Sequence, residues 1–414
     1  MSTLPTRSDT VFNLSSRIAQ TVQELTAELV GIRRDLHAHP ELGFNEVRST
    51  ARVTQVLHSA GIEVSTFEGT GLTAEIGSSN PSYRVALRAD LDALPVAERT
   101  GLDFSSTIDG IAHACGHDVH TTVVLGAGLT LKRFEQELID RDIAVRLVFQ
   151  PAEEMVPGGA HTAVKEHALD EVDQVFALHC DPSIDVGTVG LKVGAITAAC
   201  DAIRVRLTGR GGHTSRPHLT GDLTYALAKV VTDVPAALSR RLDPRAGAAL
   251  VWGTVVAGNA ANVIPAIGEC VGTLRLLDID AWDQAGDLVQ SLVHEVVAPY
   301  GVTAQIEYTR GVPPVVNDQV AVDLLTAACR SAVGPETVVA TKQSLGGEDF
   351  SWMLTRAPGA MGRLGTRTPG GPTYELHQGD LVVDERAITV GATLLAATCL
   401  LRPNGASDVA DAAV

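Results

Sequence analysis

The sequence predicts an α/β protein of two domains, one inserted in the other, on three observations. Short apolar runs alternate with helical stretches through the first half, which implies a sheet with parallel strands. Near Leu191 the texture changes to strands that alternate apolar and polar residues, the mark of a sheet solvated on one face. The chain has 414 residues, enough for two or three domains at ~150 residues each.

The elements follow in order. Ile18, Val22, Leu25, Leu29 and Ile32 recur at helical spacing, so a helix is expected over about Ser16–His37. A second is expected over Glu46–Ser59, ended by Gly61 in the left-handed conformation. Strands are expected at Arg84–Asp90, Ala144–Phe149 and Gln174–Leu178, with helices over Thr121–Phe134 and Gly159–His167 between them. In such sheets functional groups gather beyond the carboxyl ends of the strands. Asp90, Asp92, Glu153, Glu154 and His179 all follow such runs directly.

From Leu191 the expected order is strand (Ala202–Thr208), helix (Asp222–Ser239), strands (Leu250–Val256, Gly268–Leu276), helix (Ala281–Val297), strand (Thr303–Thr309). This is a split βαβ pattern of about 120 residues. Gly311-Val-Pro-Pro is expected to close it as a hinge, and the chain then returns to the first domain. The expected division is 13–190 with 312–402, then 191–311, with frayed tails at 1–12 and 403–414.

Composition narrows function. Hydrophobic residues make up 45% and charged residues 20%, an ordinary globular balance. The net charge of −17 argues against nucleic acid or an anionic membrane as partner. No apolar stretch reaches the ~20 residues of a membrane span. The start, MSTLPTRSDT, lacks the apolar core of a signal peptide. The six cysteines are scattered without a CxxC pair, so a reducing, cytoplasmic compartment is expected.

Chemistry concentrates in a few segments. His113-Ala-Cys115-Gly-His117-Asp118, with His120, sets thiol, imidazole and carboxylate within eight positions. These are the ligand types of zinc and related divalent metals. Asp90-Leu-Asp92 suits a carboxylate that orients a ligand imidazole from behind. Glu153-Glu154, beyond a strand, offers two carboxylates for two roles, one on a metal and one as the base that takes a proton from water. An exposed acidic pair reads the same way when taken alone. His179, His377 and Gly347-Glu-Asp-Phe350 carry weight only with that cluster. The loop Gly209-Arg-Gly-Gly-His213 lacks a P-loop ending and reads as a sharp turn presenting His213.

Together LHAHPELGFNE (36–46), RADLDALP (88–95), HACGHDVHT (113–121), FQPAEE (149–154), ALH (177–179), GRGGHTSRPH (209–218), NVIP (262–265), GTLR (272–275) and GGEDFS (346–351) resemble the M20 metallopeptidase/amidohydrolase family. The nearer match is its amidohydrolase branch of aminoacylase, hippurate hydrolase and indoleacetyl-amino-acid hydrolase type. The resemblance spans roughly residues 20–400. It implies a catalytic α/β domain with a central mixed sheet and two divalent ions, zinc or manganese, or alternatively cobalt or nickel. It also implies an inserted ferredoxin-like satellite domain that closes over the site and mediates homodimerisation. Carried over, Cys115, His117, Glu154, His179 and His377 would be metal ligands, with Cys115 bridging, and Glu153 the general base. His213 would polarise the scissile carbonyl, Asn262 and Arg275 would hold the substrate carboxylate, and Asp92 would orient a ligand. Asp90-Leu-Asp92 and Cys115 depart from most M20 peptidases as the branch does, and Gly347 stands where the branch often has Ser. The implied activity is hydrolysis of N-acyl amino acids. The alternatives are a dipeptidase, a biosynthetic deacetylase, or a non-catalytic binding protein, which would have no use for Glu153.

Overall fold

A computed structural model describes residues 7–403; the parts of the expected frayed tails at 1–6 and 404–414 lie outside the described residues. The chain divides into two compact units. One takes the chain up to Ile196, Val316–Lys342 and the part from Trp352 on; the other takes Thr197–Val315 and Gln343–Ser351. The segment Gln343–Ser351 therefore groups with the second unit, not with the first as expected from sequence. Within that unit Ala198 N donates to Gly346 O (3.2 Å).

The first unit is built on an eight-stranded mixed sheet. Its order is Val64–Thr66, Leu72–Gly77, Ile143–Gln150, Tyr83–Asp90, Gln174–Asp185, Gly359–Arg367, Val189–Leu191, Val338–Ala340. The four central strands run parallel, and Leu72–Gly77 is antiparallel to its neighbours. Central strands are buried on both faces, which explains near-continuous apolar runs such as that of Ile143–Gln150. Strand Tyr83–Asp90 carries two charges at its buried end, and they neutralise each other: Arg88 Nη1 lies 2.8 Å from Asp90 Oδ2.

The helices differ from expectation mainly at their starts. The first runs Arg7–Ala38, beginning inside the stretch expected to fray. The third begins at His117, not Thr121, because the polar run before Thr121 hid its first turn from a periodicity reading. Residues 117–131 of it are all buried. The helix Val47–Ser59 ends as expected: Gly61 is left-handed (φ 70°), Gly61 N donates to His58 O and Ile62 N to Leu57 O, a Schellman cap.

In the second unit four antiparallel strands lie in the order Ala249–Ala257, Ile267–Leu276, Ala199–Gly209, Val302–Val312. Helices Leu223–Arg241 and Ile279–Val297 turn their apolar stripes inward. Asp222 and Asp278 cap them, accepting from Tyr225 N and Ala281 N. The alternation expected for Ala202–Thr208 is observed: Ile203, Val205 and Leu207 are buried, Arg204 and Arg206 exposed. Gly311, expected at a hinge, lies inside the last strand, its N–H held by the buried Asp201 (2.8 Å).

Two glycine substitutions separate local from global cost. Alanine at Gly61 meets nothing within 4 Å and only strains the left-handed backbone, costing about 1 kcal/mol. A Cβ at Gly359 overlaps Val175 O on the adjacent strand, so Gly359→Ala should cost ~3 kcal/mol or more. Thermal unfolding should rank Gly359→Ala well below Gly61→Ala; equal midpoints contradict the strand packing.

Candidate metal centre

The end of the parallel sheet and the start of one helix create this site. Cys115 and His117 flank Gly116, whose φ of 85° turns the chain into the helix. A side chain at Gly116 is barred, because a Cβ there would sit 2.8 Å from Cys180 Sγ. His179 lies one residue before the end of the buried run 174–180 of strand Gln174–Asp185. Glu153 and Glu154 occupy a turn just beyond strand Ile143–Gln150. His377 comes from a loop, left-handed at φ 62°, with its N–H donated to Ala114 O (2.7 Å).

These elements bring together all five sequence-selected Cys, His and Glu residues with Glu153. Cys115 Sγ is 3.6 Å from His179 Nε2. His377 Nε2 is 3.1 Å from Glu154 Oε1. His117 Nε2 is 3.9 Å from Glu153 Oε2 and 4.0 Å from Glu154 Oε1. Cys115, His117 and His179 form one group whose donor atoms all lie within 4.8 Å of one another; Cys115, Glu154 and His377 form another. The thiol belongs to both.

The hydrogen bonds behind these groups free one donor atom on each. His117 Nδ1 donates to Asp92, whose main-chain O is at 2.9 Å and Oδ1 at 3.2 Å. His117 Nε2 is then buried with no hydrogen-bond partner. His179 Nδ1 donates to Cys180 O (2.8 Å), leaving Nε2 with its lone pair toward Cys115. A buried imidazole fixed through one nitrogen and bare at the other, beside a thiol and a carboxylate, fits a divalent cation. His120 does not share that arrangement. Its Nδ1 is 2.7 Å from Asp90 Oδ1 and its Nε2 accepts from Cys180 N (2.8 Å).

Asp92 does more than orient His117. Its Oδ1 accepts from Glu153 N and its Oδ2 from Glu154 N, both at 3.0 Å. Glu46 grips the same turn from the other side. Its Oε1 accepts from Ala152 N (2.7 Å) and its Oε2 from Thr70 Oγ1 (2.7 Å). Ala152 is left-handed at φ 49°, so this grip holds a strained residue. Sequence reasoning gave Glu46 no role. Its only signal was position, in a quoted motif far from the chemistry.

Electrostatics follow from burial and neighbours. Burial penalises the Asp90 carboxylate, but His117, Arg88 and His120 outweigh it and hold its pKa well below the usual range. Burial also opposes charge on His117, which Asp90 and Cys115 override upward. Burial, His120 and Arg363 hold His179 well below the ordinary histidine range. Burial pushes the Cys115 thiol up to about 12. A coordinated cation reverses that last effect, since a coordinating thiol is deprotonated.

In the second unit, His213 lies on a two-residue strand paired with Val263, the residue after Asn262. Its Nδ1 accepts from Ser215 N (3.1 Å), which puts the ring proton on Nε2. Thr214 N donates to Asn262 O (3.2 Å), so His213 and Asn262 share one corner. Arg275 does not join them. It pairs with Cys200 near one end of its strand, where its guanidinium donates to Leu345 O. The His213 corner lies beyond Ile267, at the other end. Strand rise sets the two about 25 Å apart.

Residues 86–400 match the family model described as peptidase family M20/M25/M40. The chain belongs to that family. It is 35% identical to an N-acetyl-L-cysteine deacetylase of Bacillus subtilis, over 94% of this chain and 91% of that one. It is 48% identical, over 91% of its length, to a Rhodococcus jostii protein named as a glutamate–cysteine ligase, of which it spans only 47%. Among solved structures it superposes on Bacillus subtilis YXEP, a dinuclear metal binding peptidase from the M20 family, with a TM-score of 0.79. That match has 31% identity over 91% of this chain and 98% of the other.

Asp92 generates the site's own test. Asp92→Asn replaces one acceptor oxygen with a donor, so a backbone N–H of the Glu153–Glu154 turn or the His117 ring loses its partner. Metal affinity, measured by competition with a chromogenic chelator, should fall about 10–100-fold. Unchanged affinity contradicts the role assigned to Asp92.

Proposed function

We propose that this member of peptidase family M20/M25/M40 is a metal-dependent amidohydrolase that splits N-acyl amino acids into a carboxylic acid and a free amino acid. The observation that carries this reading is the division of labour open to the adjacent glutamates. Both approach His117 Nε2, and Glu154 also pairs with His377, which aims it at the ligand group of Cys115. In this reading Cys115, His117, Glu154, His179 and His377 would hold two divalent ions, with Cys115 common to both groups of ligand atoms. Zinc and manganese suit the mixed sulfur, nitrogen and oxygen donors, as do cobalt and nickel. Bound there, such ions would polarise the scissile carbonyl and lower the pKa of water toward ~7.

Glu153 takes the proton from the attacking water and returns it to the leaving amine nitrogen. The oxyanion that develops on the carbonyl needs donors, and the Nε2–H of His213 supplies one. Arg275 of one chain holds the substrate carboxylate together with Asn262 of the second, which shares the His213 corner. The βαββαβ order and the all-antiparallel sheet of the second unit support a ferredoxin-like satellite domain. Its edge strand Ala249–Ala257 exposes Val251, Val255 and Val256, which supports homodimerisation along that edge. The distance from Arg275 to His213 within one chain supports sites completed by His213 of the second subunit. We place the protein in the cytoplasm, where the thiol of Cys115 stays reduced. A narrower reading, a deacetylase of N-acetyl amino acids, is favoured by the deacetylase relative. No helix among the described residues is long and apolar enough to cross a membrane.

Purified protein loaded with each metal should hydrolyse members of an N-acyl amino acid panel and lose that activity on chelation. Preference for unblocked dipeptides would make it a dipeptidase, and activity in metal-free protein would refute the reading. Glu153→Gln should keep its metal and lose ~10²-fold or more in turnover, whereas Glu154→Gln should lose metal first. Metal content by mass spectrometry separates them, and the reverse pattern exchanges their roles. Mixing His213→Ala with Glu153→Gln subunits should restore activity if His213 acts on the partner's site; no restoration confines each site to one chain.

A further inference from the structure

Strand Gly359–Arg367 brings one more charged side chain to this end of the sheet. Arg363 pairs in register with His179 on its parallel neighbour and with Gly190 on its antiparallel one. Residues in register on adjacent strands project from the same face. Arg363 therefore leaves the sheet on the side from which His179 reaches Cys115. Gly190 offers it no side chain. Arg363 is 8% exposed, yet no described residue gives its guanidinium a hydrogen bond or an ion pair. The carboxylate next along this face, Asp181 opposite Gly365, is turned to Ser183, whose N–H and Oγ it accepts at 2.9 and 2.6 Å.

Arg363 is largely enclosed, but its guanidinium nitrogens reach solvent. A charge so placed without a counter-charge is costly, and divalent cations held through the adjacent His179 would add to the positive potential. An anion answers both. The planar fork of arginine matches a carboxylate with two parallel hydrogen bonds. We infer that Arg363 is a substrate-binding residue that pairs with a carboxylate of the substrate beside the metal centre, making the site selective for acids over neutral amides. This rests on the amidohydrolase reading and adds a selectivity residue within the catalytic unit. The carboxylate has two sources in that substrate class: the α-carboxylate of the amino acid, or one carried by its side chain or by the acyl group.

Three substrates and one plain ligand test it. N-acetyl-L-methionine carries only the α-carboxylate, N-acetyl-L-isoglutamine only a side-chain carboxylate, and N-acetyl-L-methioninamide neither. Succinate binding to zinc-loaded protein, by calorimetry, needs no turnover. Arg363→Met should weaken succinate about tenfold or more and raise KM by a similar factor for one of the two acids. KM for the neutral amide, the metal content and the melting temperature should stay as in the wild type, and Arg363→Lys should recover part of the loss. The acid that suffers identifies the source. Succinate that does not bind the wild type, or binds the variant equally well, overturns the inference; so does an equal loss for acids and amide, the mark of a merely structural arginine. A wild type that hydrolyses none of the substrates counts against the amidohydrolase reading, and the succinate comparison still decides Arg363. If Arg363→Met does not fold, Arg363→Lys takes its place, with a threefold or greater loss of succinate affinity expected and none contradicting.

Discussion

The carboxylate of Asp92 is the contact on which the site depends. Its oxygens accept two backbone N–H groups from the Glu153–Glu154 turn and lie against the ring nitrogen of His117. These groups belong to different elements, a strand-end turn and a helix start, and each is poorly determined without the other. A single buried anion satisfies both and fixes their separation. That separation sets the distances from His117 Nε2 to both glutamates. Loss of that carboxylate would leave three donors unpaired in a dry site.

The same device recurs around the centre. Asp90 is held by Arg88 and His120, and His120 passes the constraint on by accepting from Cys180 N, next to His179. Asp118, in the first turn of the His117 helix, meets Arg33 Nε and His37 Nδ1 at 2.8 Å each. His37 in turn lies 3.2 Å from Glu98. Breaking such a pair by removing one partner costs roughly 3–5 kcal/mol, because the other charge stays buried. These networks leave each candidate ligand little rotational freedom and one donor atom unspent. The loop residue His377 is the exception. It is half exposed and rests on one backbone bond and its contact with Glu154.

Much of this was legible in the sequence because its physics is local. The apolar period of helices Leu223–Arg241 and Ile279–Val297 and the glycine stop at Gly61 all act within a few residues. Strand ends carrying Asp90, Glu153 and His179 could be located from apolar runs alone. Strand Gly359–Arg367 could not be delimited so, since its glycines and arginines form no apolar run. Its glycines are there because the neighbouring strand comes too close for a side chain. His120 looks as much like a ligand as His117, three residues away on the same helix. Only the third dimension shows that both its nitrogens are engaged. Glu46 and Arg363 stayed silent for the same reason: the Ala152 N–H that Glu46 holds and the His179 that Arg363 lies beside are over a hundred residues away in the chain.

In the proposed metal centre the thiol of Cys115 would serve two cations. X-ray absorption at the zinc edge, on protein loaded with two equivalents, tests it most directly. A shared Cys115 predicts one sulfur neighbour per zinc at about 2.3 Å, with nitrogen and oxygen completing the shell, and loss of that sulfur shell from both zincs in Cys115→Ala. A shell of nitrogen and oxygen alone in the wild type, or sulfur on only half the zinc, would contradict it.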